Sequence, residues 1–107
     1  MIKRPKGLEI VELTVEFNFQ KFTCLEIDLE HVNKDQRSNF SLEDVSQIVL
    51  VLIDNLRLSP SGEKEFGDDI CSYFVRSASY EDKNFKLVFC ICSDRPATIG
   101  VITLHRT

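Results

Sequence analysis

His31 and His105 are the two side chains whose unperturbed pKa lies near neutrality, so proton transfer at physiological pH would begin with them. Lys34 and Arg37 follow the first histidine closely, and Arg106 adjoins the second. Arg76, Tyr73, Tyr80 and Thr103 fall on segments expected to be strands. These nine residues lie at predicted strand ends and sheet edges, the places from which a side chain reaches a ligand. No glycine-rich phosphate loop, HExxH or GxSxG stands beside them. A Cys–His nucleophile pair would need a histidine next to Cys24, Cys71, Cys90 or Cys92, and the expected burial of those thiols disfavours it. The cysteines form no CxxC pair, and Cys90 and Cys92 lie two apart on one predicted strand face. Four buried thiols in a reducing cytosol, with no zinc and no other cofactor, are the expectation.

The elements that must position these groups follow from periodicity. Three segments near the C-terminus, DICSYFVRSAS from Asp69, NFKLVFCICS from Asn84 and ATIGVITLHR from Ala97, are rich in β-branched and aromatic residues. Connections this short suit hairpins and not parallel crossovers, so the three form an antiparallel meander. Near the N-terminus, Val11, Leu13, Val15, Phe17 and Phe19 alternate with Glu12, Thr14, Glu16 and Asn18, which predicts a strand with one core face. A second alternating run, Leu25, Ile27 and Leu29 against Glu26, Asp28 and Glu30, completes a hairpin.

Residues 31–40 read as a loop or a helix of one to two turns. Ser41 and Asp44 have the spacing of a capping box, with Phe40 and Val45 placed as a hydrophobic staple. A helix is therefore expected to start at Ser41, carry Leu42, Val45, Ile48, Val49, Leu52 and Leu56, and end before Pro60 and Gly62. Residues 59–69 read as an exposed connection. The expected fold is α+β: an antiparallel sheet of about five strands with one long helix, and a short one, packed on one face.

At 107 residues the chain fits a single domain, 1–107, able to bury a core without staples. Its 43% hydrophobic and 28% charged residues are ordinary for a globular protein. No apolar run has the length of a membrane span and no apolar stretch follows the basic lead, so a cytoplasmic location and no membrane partner are expected. The formal net charge of −4 argues against gripping nucleic acid over the whole surface and leaves room for a local basic patch.

The stretch EHVNKDQRSNFSLEDVSQIV from Glu30 resembles the RelE/BrnT-like toxins of toxin–antitoxin systems, in which a strand ends at a His, an Arg follows and a helix of the form (S/T)-x-E-D-V comes next. The closing strand IGVITLHR is similar to the family's terminal I-x-V-I-T-A-x-R, with Leu104 where a small residue is usual. The resemblance covers roughly half the chain, and the acidic balance departs from the usually basic family. It implies a barnase/RelE-like sheet with helices on one face and a metal-independent ribonuclease working by 2′-hydroxyl attack on phosphate. On that basis His31, His105 and Arg76 would be catalytic. Arg37, Arg106 and Lys34 would hold RNA phosphate, with Tyr73, Tyr80 and Thr103 in support. RNA and a cognate antitoxin would be the partners.

On a regular strand His105 and Arg106 point to opposite faces, so both can serve one site only where the strand frays. An alternative function keeps the fold without catalysis: a protein-binding or regulatory module using its acidic, alternating N-terminal hairpin as an interaction surface.

Overall fold

The computed structural model describes residues 8–34 and 39–107. In chain order the elements are β1 (Leu8–Phe17), β2 (Gln20–Asp28), α1 (Leu29–Asn33), α2 (Leu42–Ile53), β3 (Gly62–Phe66), β4 (Asp69–Tyr80), β5 (Lys83–Cys92) and β6 (Thr98–Arg106). They form an α+β fold with one six-stranded sheet in the order β1-β2-β6-β5-β4-β3.

The hairpin β1–β2 and the meander β4–β5–β6 are antiparallel, as their short connections require. Both two-residue turns place two successive residues at positive φ, Asn18 and Phe19 in the first and Glu81 and Asp82 in the second, the twist that tight hairpins favour. Phe19, expected on the core face, is instead 80% exposed in its turn, under the Arg57 guanidinium at 4.0 Å.

The sheet is mixed, with six strands where about five antiparallel ones were expected. β6 pairs parallel with β2, Cys24 opposite Thr98 and Ile27 opposite Val101. The meander leaves β6 with an unpaired edge, and the long intervening chain lets it close on β2 running the same way. The sixth strand, β3, lies within the segment expected as a connection. It is five residues long and exposed along nearly its whole length, so it carries no alternating apolar signal.

The sheet is strongly curled. β1 and β4 stand four places apart, about 19 Å in a flat sheet, yet the Phe17 and Phe74 rings meet edge-on with centroids 5.2 Å apart. Phe17 reaches Phe89 of β5 at the same distance. Register shifts between Glu12 and Val15 in β1, and between Val88 and Phe89 in β5, supply local bends. The concave side encloses one core, to which both helices contribute: Val32 from α1 and Val45, Ile48, Val49, Leu52 and Ile53 from α2.

α2 begins as its sequence dictates. Ser41 Oγ accepts the Asp44 N–H and Asp44 Oδ2 accepts the Ser41 N–H, both at 3.0 Å, and Phe40 and Val45 are both buried. It ends sooner than expected, after Ile53, where Asn55 turns to φ 59°. Leu56 leaves the helix to bridge Phe17 in parallel, and Asn55 N–H donates to the Glu16 carbonyl at 2.6 Å. The apolar character of Leu56 thus serves the end of β1 and not a helix stripe. Among the described residues no helix is long and apolar enough to cross a membrane.

The cysteines also differ from expectation. Cys71 and Cys92 form a disulfide. They are direct cross-strand partners, and counting outward from the Glu81–Asp82 turn brings one opposite the other. Cys24 and Cys90 lie outside the bond and are half-buried.

Candidate functional site

Strand alternation decides which face each candidate side chain occupies. Leu87 and Leu104 face each other in register and are fully buried, as are Phe89 and Phe85 on the same face of β5. Arg76 is opposite Leu87 and therefore turns inward, where its Nε donates to the Leu52 carbonyl at 3.1 Å. The guanidinium satisfies an orphan carbonyl in the last turn of α2, a structural task. Arg106 pairs with Phe85 and shares this inner side.

His105 pairs with Lys86 and Thr103 with Val88, one residue out of step with the buried set, so both face the convex side. Tyr73, opposite Cys90, belongs to that side too. Burial, and then the neighbouring Cys90, raises the Tyr73 phenol above its ordinary pKa. One row of that face, Val75, Val88 and Thr103, lies between Tyr73 and His105, which are about 14 Å apart along the strands.

His31 lies elsewhere, exposed on α1, with its backbone N–H donating to Asp28 Oδ1 at 3.1 Å. Lys34 caps the same helix by donating its N–H to the His31 carbonyl at 3.2 Å. The two share a shallow depression with Asp28, Glu30 and Asn33. Arg37 lies outside the described residues. The eight described candidates therefore do not converge. His105 and Arg76 take opposite faces of the sheet, and His31 sits with two carboxylates on a third surface.

Two others do meet. Tyr80 and Arg106 line a cavity of about 350 Å³ between the start of α2 and the β4–β5 turn, along with Phe40, Phe85 and Lys83. Glu43, Asp44 and Glu81 line the same cavity, so carboxylates outnumber its two cations and oppose a phosphate there.

On the convex face a row of registered residues crosses the whole sheet: Gly62, Tyr73, Cys90, Gly100, Glu26 and Ile10. A Cβ on Gly100 would come within 3.0 Å of Cys90 Sγ, so the thiol occupies the space a side chain there would need. Glu26, read from sequence as a solvent-facing position, is only 4% exposed and is ion-paired with Arg95 from the β5–β6 turn. Alternation placed Glu26 correctly on the convex face, but nothing local shows that Arg95 folds over it.

Among the described residues the row ends at an open edge. Contacts from outside the sheet reach the β1 backbone at its C-terminal end: the Glu16 N–H donates to Asp54 Oδ1 at 3.0 Å, the Glu16 carbonyl accepts from Asn55, and the Asn18 N–H donates to the Leu56 carbonyl. Among the described residues, no hydrogen bond from outside the sheet meets the backbone of residues 8–14. Ile10 is 58% exposed, Glu9 and Glu12 are exposed, and Val11 and Leu13 are half-buried against the core.

No family model, no curated protein and no solved structure matches the chain.

Proposed function

We propose that this chain is a protein-binding module that works without catalysis and receives its partner along β1. The observation that carries it is the open, acidic edge of residues 8–14, with an isoleucine at its surface. A sheet edge presents unpaired N–H and C=O groups, and natural proteins either blunt such edges or use them for strand addition. β3, at the other edge, is blunted by shortness and by Glu63, Lys64 and Glu65 in succession. β1 is twice as long and, among the described residues, has only its C-terminal end covered. The scattering of His31, His105 and Arg76 over separate surfaces supports the same choice over RNA cleavage, which needs base, acid and charge stabiliser around one phosphate.

Photo-crosslinking in extract from cells that make the protein tests this. A photoreactive residue at position 10 and one at position 105, in separate preparations of the full chain, should give a discrete protein adduct from the first and no RNA adduct from the second. An RNA adduct at position 105, or cleavage of RNA by the purified protein between about pH 5 and 8, where histidine changes charge, would restore the ribonuclease reading.

A further inference from the structure

We infer that the partner of β1 is an extended protein segment with alternating basic and apolar residues, added to the sheet as a seventh strand; this rests on the binding-module reading. The charge distribution names the partner's sign. Residues 8–28 carry five carboxylates, Glu9, Glu12, Glu16, Glu26 and Asp28, against the single Lys21, a net of −4. That equals the formal net charge of the whole chain, so the other residues balance and the excess acid is concentrated on this hairpin. Of the five, Glu26 is engaged by Arg95, and Glu16 faces Lys21 across the strands. Glu9 and Glu12 stand exposed on the open stretch of the edge.

The two sides of the edge set the partner's pattern. An added strand would turn alternate side chains toward each face, with directly opposed Cβ atoms about 5 Å apart. On the concave side it would meet Val11 and Leu13, both half-buried against the core, where an apolar residue extends the buried layer. On the convex side it would meet Ile10 and Glu12, where the stem of a lysine or arginine covers the isoleucine while its head reaches the carboxylate. The register shift between Glu12 and Val15 bends β1 and marks the C-terminal end of the docking stretch. A second copy pairing β1 with β1 would bring the two glutamate-rich strands together, and a nucleic acid would meet carboxylates with its phosphates. A basic strand meets neither penalty.

The probe is a fluorescent lysine–valine alternating peptide of about eight residues, long enough to span the open stretch, with a glutamate–valine counterpart and a version carrying two central prolines as controls. Anisotropy against the full chain should show binding of the lysine–valine peptide alone, weakening as salt rises from about 0.05 to 0.5 M. The pair Glu9→Lys/Glu12→Lys, both exposed, should weaken it by roughly tenfold or more, the size of a close charge-pair coupling at an interface. Amide exchange should slow within residues 8–14. Equal binding of the acidic or proline peptide, indifference to the substitutions, or protection confined to other strands overturns the inference. So does a dimer that already protects residues 8–14 without peptide, which makes a second copy the occupant. Where position 10 still crosslinks to a protein while the lysine–valine peptide does not bind, the partner chemistry is wrong and the module reading stands. Loss of both removes both.

Discussion

Replacing Cys71 and Cys92 together by alanine tests the most consequential bond that the sequence did not reveal. The disulfide closes a loop of sequence separation 21, for which the chain-entropy relation gives about 3 kcal/mol of stabilisation. Both side chains are nearly buried, at 2% and 5% exposure, so alanine introduces no buried polar atom as serine would. A single substitution would be ambiguous, because Cys90 Sγ lies 4.0 Å from Cys92 Sγ and a lone Cys92 would keep a thiol neighbour. For a chain of this length ~3 kcal/mol corresponds to a fall in melting temperature of about 10–20 °C. Thermal and denaturant melts of the parent and double variant, with thiol titration of each under denaturing conditions, measure it. The parent should show two thiols where the double variant also shows two. A fall below about 4 °C, what ~1 kcal/mol gives, or four thiols in the parent, would refute the assignment of this bond as a staple between β4 and β5.

Leu52→Ala removes a side chain only 3% exposed in α2 and should cost about 2–5 kcal/mol in denaturant melts. Arg95→Ala removes the ion pair to the buried Glu26 carboxylate and should cost about 1–3 kcal/mol in denaturant melts. Asp82→Gly relieves an exposed residue held at φ 62° and should stabilise by about 0.5–1 kcal/mol, read as a higher denaturant midpoint with an unchanged slope.

Local signals were legible where local physics decides. The alternation in β1, the apolar and aromatic runs of the meander and the Ser41 cap each describe interactions within a few residues, and each reappears as an element. The parallel pairing of β2 with β6 joins residues about seventy positions apart and has no local cost to betray it. β3 escaped because a strand exposed on both faces lacks the contrast that periodicity needs. Leu56 misled for the opposite reason: its spacing suits a helix face, but its partner is Phe17 on another element. For the candidate site, strand parity already separated His105 from Arg106, and the same counting across the β4–β5 turn would have placed Arg76 against Leu87 and Cys71 against Cys92. The engagement of Arg76 with the Leu52 carbonyl required knowing how α2 packs on β4.

A single amide-resolved NMR titration of the full chain, run once with a short single-stranded RNA and once with the lysine–valine peptide, separates binding at β1 from action on RNA. The expected result is shifts confined to residues 8–14 and their β2 partners with the peptide, and no shifts around His105, Arg106 or His31 with RNA. Saturable RNA-induced shifts at those residues, with β1 unmoved by the peptide, would contradict it.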